Sequence, residues 1–461
     1  MENLADRPFR RALAATVGGF DEACTEFIRL PNRSENPLGS VRGVSAWYDA
    51  CELGGTPLGA QVMGSSGEML ALAARHLVQV KGAPRVDLNC GCPANTVTGN
   101  GAGSSLLRTP EALRALVAAM VGAVGGAAPV SVKLRAGYDD TALFEDNLLA
   151  AQEGGAAFIT LHPRTRRQAY AGAADWALTR RAVELLRIPV VGNGDVVSVG
   201  RAQALLRETG CAGMMVGRGT VHDPLLFHRI RHSFTPGALA PPPDYPSLSS
   251  PSASPSSSPA AAAAGGGAGP GGVPAWPFNE PEAVEGFLRA YAAHFVPGLE
   301  PPEALGRLPP LGAAAAPGLR RPGPGAVGGA AGVEEVRSRN LGKLKKVTKY
   351  LFASSPELAA ACEVLLRLSP AQAGGQELLE QLCAAVRRHW PRQGPTRLVL
   401  LDHMAKGGGV AVREVGDGGS GSERDEPGAG CGGCGGEAAA VAAEGAERAR
   451  SGPAAKELVV A

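Results

Sequence analysis

The chain has 461 residues, room for two to four domains at roughly 100–200 residues each, and its 64 Gly and 37 Pro together exceed a fifth of it. Part of the length is therefore low-complexity sequence outside any packed core. Lys and Arg (45) against Asp and Glu (43) leave a net charge of +2, which excludes a globally basic nucleic-acid binder, so any such surface has to be local. The apolar runs fall short of the ~20 residues of a membrane span, and the start Met1-Glu2-Asn3-Leu4-Ala5-Asp6 lacks a basic-then-apolar secretory pattern. Nine scattered Cys, an odd number, do not form a disulfide framework. A soluble cytoplasmic protein with reduced thiols is expected, with no membrane partner.

In chain order, nearly continuous apolar runs at 24–30, 58–63, 85–90, 130–135, 157–162, 188–193 and 212–217 read as buried parallel strands. Between them, 110–124 and 141–153 carry apolar residues at helical spacing. Repeated βα units predict a parallel α/β barrel over 1–235, with one strand short of the eight that close it. Residues 236–275 are Pro, Ser, Ala and Gly and predict a disordered insertion. A helical domain is expected over 276–392, interrupted by a second disordered insertion at about 298–332, and a low-complexity tail over 393–461.

Polar residues end successive strands: Gln61, then Asn89, then Lys133 and Arg135, then His162, then Asn193-Gly194-Asp195, then Gly217-Arg218-Gly219. In a barrel these ends meet at one mouth, where the active site lies. The two Gly-centred ends fall on the last two strands, the phosphate-binding position, where Gly lets the backbone approach and a helix N-terminus offers free N–H groups. A phosphate-bearing cofactor follows. The string Gly99, Gly101, Gly103 lacks the spacing of a dinucleotide-binding turn.

Asn89-Cys90-Gly91-Cys92-Pro93 leaves a strand with two thiols at a spacing that could share a face. No further ligand sits at zinc-like spacing, so no metal is expected. Cys90 reads as a small buried residue. Cys92, on a turn forced by Gly91 and Pro93, reads as an acid or nucleophile at the mouth.

The run Val86-Asp87-Leu88-Asn89-Cys90-Gly91-Cys92-Pro93-Ala94-Asn95-Thr96-Val97, followed by Gly101, Gly103 and Leu106-Leu107, resembles the signature of the tRNA-dihydrouridine synthases. Gly59–Gly64, Ser131–Gly137, Leu161–Arg166, Gln168–Gly172, Gly192–Val196 and Met215–Gly219 agree with that family in order and spacing, and Cys24–Arg29 is similar to its bacterial C subfamily. The resemblance implies an FMN barrel followed by a small helical tRNA-binding domain; a monomer is expected. It implies NADPH (or NADH) as reductant, hydride delivery to C6 of a D-loop uridine in tRNA, and an acid protonating C5. By the same resemblance Cys92 is the proton donor. Gln61, Lys133 and His162 contact the flavin ring, and Asn193, Gly194, Asp195, Gly217 and Arg218 hold its phosphate and ribityl end. Asn89, Arg135 and Arg164 face the uracil and its backbone. The base has to be extruded from the folded RNA, which calls for a wider RNA surface. Arg166 and Tyr170 at the mouth are expected to supply part of it. An amphipathic helix carrying Arg337, Arg339, Lys343, Lys345, Lys346 and Lys349, with Leu341, Leu344, Val347 and Leu351 on its apolar side, is expected to supply the rest.

The family motif of a first strand ending in Ala-Pro-Met-Glu-Gly is matched here only from Met1-Glu2 onward. The first strand is therefore expected to be absent, which exposes two strand edges, weakens FMN binding at Met1 and leaves organellar targeting open. Two other readings remain at this point: an FMN barrel acting on a free pyrimidine, and an N-terminally truncated, catalytically weak or silent tRNA-binding homologue. Cys431 and Cys434 in the Gly-rich tail are assigned no role.

Overall fold

The computed structural model describes residues 5–234, 276, 278–296, 298–309, 342–368 and 374–391, with short segments at 400–401, 412–413 and 458–460. Met1, Cys431, Cys434 and the whole 236–275 insertion lie outside the described residues.

The stretch 24–30 forms two short strands, β1 (Ala23–Cys24) and β2 (Ile28–Arg29), both paired with β3 (Leu58–Met63). Strands β4 (Val86–Cys90), β5 (Val130–Gly137), β6 (Ile159–Thr165), β7 (Val190–Asn193) and β8 (Gly213–Met215) follow in sequence order, and every ladder of this sheet is parallel. Helices connect them on the outside: α1 (Arg7–Thr16), α2 (Pro37–Val44), α3 (Gly67–Gln79), the one-turn α4 (Asn95–Thr98), α5 (Pro110–Val124), α6 (Phe144–Glu153), α7 (Trp176–Leu185), α8 (Val199–Thr209), α9 (Arg218–His222) and α10 (Leu226–Phe234). Helix starts follow local chemistry. Asp6, Asn36, Ser66, Asp175 and Ser198 each accept a backbone N–H of the first turn, and Pro stands in the first turn of α1, α2 and α5.

The strands are not apolar on both faces. Leu58, Ala60 and Val62, then Val86, Leu88 and Cys90, then Val130, Val132 and Leu134 join the main hydrophobic core with the helices. The alternate residues turn inward and are mostly polar, and register stacks them in layers: Gln61 opposite Asp87, Asp87 opposite Ser131, and above these Asn89 opposite Lys133 and Arg135 opposite His162. At the base, Arg85 pairs with Glu22 and lies 5.2 Å from the Phe158 ring centroid. A barrel interior is ordinarily filled by layers of bulky apolar side chains. Here a hydrogen-bonded polar column fills that space.

The β8 edge, expected to be bare, carries β11 (Leu458–Val460) in parallel, with Leu458 opposite Gly213 and Val460 opposite Met215. The tail also contributes an antiparallel pair, β9 (Leu400–Leu401) and β10 (Val412–Arg413).

After the barrel come α11 (Glu280–Ala292), α12 (Glu303–Gly306), α13 (342–351), α14 (Pro356–Arg367) and α15 (Gly375–His389). Phe9 of α1 meets Phe287 edge-on at 5.3 Å between ring centroids, and Phe287 stacks on Tyr291. Fully buried Arg229 ties α10 to α11, with contacts of 3.1 and 2.8 Å to Glu280 and a 2.8 Å contact to Asp223. Of the second insertion expected at about 298–332, residues 298–309 are described, and there Leu308 packs against Gly54 and Arg11 donates to the Pro309 carbonyl at 2.8 Å; residues 310–332 lie outside the described residues.

Candidate active site

The loop leaving β4 is held by a side chain of the strand itself. Asn89 Oδ1 accepts the backbone N–H groups of Gly91 and Cys92, both at 3.0 Å. The Cys92 carbonyl accepts from Ser104 N (3.2 Å) and Ser104 Oγ (2.9 Å). Gly103, at φ +62°, is needed here, because a Cβ would stand 2.7 Å from Val97 Cγ1 and 3.1 Å from the Cys92 oxygen. Cys92 packs with Met63, Val97 and Ala102, whereas Cys90 belongs to the helix-facing core. The two thiols thus do not share a face: the turn at Gly91 separates them, and burial pushes the Cys90 thiol up, out of reactive range.

Across the mouth, Lys133 Nζ donates to Asn193 Oδ1 at 3.1 Å, and Asn193 Nδ2 donates to the Met215 carbonyl at 2.8 Å. Burial, reinforced by Arg135, lowers the Lys133 ammonium to about 8. His162 is pushed far below its ordinary value, first by burial and then by Lys133, Arg135, Arg164 and Arg218, so its ring is neutral at physiological pH. Arg164 Nη1 lies 3.2 Å from His162 Nε2. A guanidinium only donates, so Nε2 accepts and the ring proton sits on Nδ1.

Several of the expected site residues are bound to other protein groups. Arg164 is fully buried and bound to both oxygens of Asp195 (3.0 and 2.7 Å) and to the Gly172 carbonyl, and its Nη1 also reaches His162. Asp195, at φ +58°, also accepts Ala174 N at 2.7 Å and lies 3.6 Å from Arg218. Its carboxylate thus lies between the two guanidinium groups of Arg164 and Arg218. Arg135 donates to the carbonyls of Gly91, Thr165 and Ala169 at 2.9–3.0 Å, fastening the Cys92 loop to the loop after β6. Lys343 pairs with Asp6 at 3.0 Å. Lys345 donates to the Leu366 and Leu368 carbonyls at the C-terminal end of α14. Those two ammonium groups are half-buried and engaged by protein partners, while Lys346 and Lys349 lie on the exposed side of α13. Arg337 and Arg339 fall outside the described residues.

What remains at the rim is coherent. Tyr170, 52 % exposed, lies 4.6 Å from the Arg218 guanidinium, 5.8 Å from that of Arg135 and 6.3 Å from the His162 ring, centroid distances throughout. Arg166 Nε reaches the Pro93 carbonyl at 3.4 Å, and its guanidinium lies 5.1 Å from the Tyr138 ring. Sequence reasoning missed Asp87 and Arg85. The signal was present: an acid and a base two residues apart on the same face as Asn89, inside an otherwise apolar strand.

The cofactor fit rests on Gly194 and the groups around it. At φ +108°, a Cβ at Gly194 would meet His162 Cδ2 at 2.9 Å and Ala174 Cβ at 3.1 Å, so the backbone is bare where Lys133, His162 and Asn193 converge. Gly217 opens α9, and Arg218 stands beside it with its side chain 31 % exposed. An open cationic cradle of this kind suits a planar, anionic, phosphate-bearing group.

A parallel α/β barrel with this mouth defines a barrel enzyme whose open cationic cradle suits a phosphate-bearing cofactor. Comparison with known proteins places it further. The model of the dihydrouridine synthase (Dus) family matches residues 1–248, more than half of the chain. The tRNA-dihydrouridine(16) synthase of Ralstonia nicotianae is 39% identical over 238 residues, 50% of this chain and 71% of that protein. That of Pasteurella multocida is 36% identical over 240 residues, 50% and 74% respectively. Among solved structures, histamine dehydrogenase from Rhizobium sp. 4-9 aligns with TM-score 0.37 and 15% identity over 50% of this chain and 44% of that one, a level that adds nothing to the argument.

The chain belongs to the dihydrouridine synthase family, flavin-dependent oxidoreductases that reduce uridine in tRNA. Within it, the chain is similar to the bacterial tRNA-dihydrouridine(16) synthases. Among the described residues no helix is long and apolar enough to cross a membrane, and no cluster of metal-ligating side chains occurs.

Proposed function

We propose that this protein reduces a D-loop uridine of tRNA, position 16, with FMN as its flavin and NADPH as the reductant. The position rests on the substrate named for its relatives. When bound, FMN supplies hydride chemistry at the C5=C6 bond of the uracil.

The chain's own residues do the rest. Gln61, Lys133, His162 and Asn193 line the place for the flavin ring. Lys133, cationic below about pH 8, offers a positive charge to the electron-rich edge of that ring. Neutral His162 binds without adding a second charge. Gly194, Gly217 and Arg218 receive the phosphate end, and Asp195 supports it indirectly by holding Arg164 and Arg218. Asn89 and the Cys92 loop face the base. Cys92 Sγ gives its proton to C5 as hydride arrives at C6, leaving a thiolate that water reprotonates. Tyr170 and Arg166 offer a stacking face and a cation at the rim for the extruded nucleotide and its neighbours. Lys346 and Lys349 extend the cationic path onto α13.

The observation that carries this reading is the Cys92 loop itself, with both its N–H groups and its carbonyl fixed opposite the Lys133–Asn193 pair. The test is the visible spectrum of the purified protein, then dihydrouridine formation from unmodified tRNA with NADPH. Flavin bands and product in the wild type, with Cys92→Ala lowering product at least a hundredfold at equal flavin content, are expected. Equal product from Cys92→Ala would refute the assignment of the acid.

A further inference from the structure

A chain of buried hydrogen bonds runs up the barrel interior and ends on the Cys92 loop. Arg85 Nη1 donates to Ser131 Oγ at 2.8 Å, and Ser131 Oγ donates to Asp87 Oδ1 at 2.7 Å. Gln61 Nε2 donates to Asp87 Oδ2 at 2.7 Å. Asn89 Nδ2 donates to Gln61 Oε1 at 2.7 Å, and Asn89 Oδ1 accepts Gly91 N and Cys92 N at 3.0 Å. All of these side chains are buried, Ser131 and Asp87 almost wholly so.

The direction of every bond is forced from both ends. At the base, Arg85 has only donors, so Ser131 Oγ accepts from it and spends its own hydrogen on Asp87. Burial raises the Asp87 carboxyl and Arg85, 3.5 Å away, pulls against that rise; both Asp87 oxygens accept, so the Gln61 amide turns its nitrogen down and its oxygen up. That oxygen takes the Asn89 nitrogen, which leaves the Asn89 oxygen for the two N–H groups of the turn. At the top, backbone N–H groups only donate, and they demand the same orientation. Two carboxamides, which alone could each flip, are thus fixed by one carboxylate two layers below the mouth.

We infer that Asp87 is a positioning residue for the reduction. Through Gln61 and Asn89 it fixes both the amide that lines the flavin place and the turn that carries Cys92. The inference rests on the functional reading above, and it adds a residue that touches neither flavin nor uracil. Displacements of the order of 1 Å cost about 10²-fold in rate, so loss of the anchor is read chiefly in turnover.

The experiment compares wild type, Asp87→Asn, Gln61→Ala and the double variant in the full-length chain. Three quantities are read: kcat per bound flavin with tRNA, tRNA affinity, and the rate of iodoacetamide alkylation at Cys92 followed by peptide mass spectrometry. Asp87→Asn is expected to lower kcat about tenfold or more, with tRNA affinity and flavin content within about twofold, and to change Cys92 alkylation at least threefold. In the Gln61→Ala background, Asp87→Asn should cost less than about twofold further, because the link through which it acts is already cut. A fully additive loss, or a kcat and alkylation rate within twofold of wild type, would overturn the inference. Should Asp87→Asn not fold, Gln61→Ala alone decides by alkylation, which must change if the column holds the loop. Alkylation needs no turnover, so an inactive wild type would refute the proposed function while leaving this comparison intact.

Discussion

Replacing Gly194 with Ala puts a methyl group where the structure has no room for one. Its φ of +108° lies in a region essentially reserved for glycine, and its Cβ would stand 2.9 Å from His162 Cδ2 and 3.1 Å from Ala174 Cβ. Backbone strain of this kind costs ~1–3 kcal/mol and an overpacked contact ~1–3 kcal/mol. The His162 ring cannot turn away freely, because Nε2 is engaged by Arg164, itself locked to Asp195. A combined cost of about 3 kcal/mol, roughly 150-fold in an equilibrium constant, is the central figure. If the loop stays in place, the cost falls on the fold; if it relaxes toward the mouth, the cost falls on flavin affinity. The assay therefore measures both, FMN affinity by fluorescence titration of the apoprotein and stability by denaturant unfolding, and the two losses are summed. Gly172→Ala is the control: its φ is +67° but no atom lies within 4 Å of the new Cβ, so only ~1–2 kcal/mol of strain is expected. A summed loss for Gly194→Ala no larger than that of the control would refute the steric argument.

Two further outcomes follow from the site and the sheet. The Lys133 ammonium, lowered to about 8 by burial and Arg135, loses its charge as pH rises through that value, so FMN affinity should weaken above pH 8. Burial disfavours the charged form, so apoprotein stability should rise with pH between about 8 and the ordinary value of 10.5; an affinity profile flat across pH 8 in wild type, or unchanged in Lys133→Met, would contradict this. Deleting residues 456–461 removes β11 from the β8 edge, and flavin retention through gel filtration should drop severalfold. Full retention would show that the edge beside the phosphate end needs no cover.

Much of the frame was legible in the sequence, because it rests on local rules. Apolar runs located β3, β4, β5, β6, β7 and β8 to within a few residues, and α5 occupies the expected 110–124. Helical periodicity placed α6 three residues early, since Thr141 to Leu143 lead into the helix without joining it. Strand ends, glycines and the Cys92 turn marked the mouth, because a barrel brings all C-terminal strand ends to one side whatever the side chains do.

Partner choice was not legible, for a physical reason: a charged group's role depends on what stands across the barrel from it. Arg164 and Asp195 are thirty-one positions apart in sequence but 2.7 Å apart in space, an internal ion pair that neither segment's own sequence announces. Lys343 and Lys345 sit on a helix whose sequence suggests a phosphate-binding face, yet Asp6 and the end of α14 claim them. Asp87 looked like an interruption in an apolar strand, and only its register with Gln61 and Ser131 makes it the anchor of a directed column. The same holds for the β8 edge, covered by residues more than two hundred positions away in sequence. Sequence alone determined which segments become strands, helices and the reactive turn, because those choices are made by neighbours along the chain. Tertiary structure decided which charges meet, because those choices are made by neighbours across it.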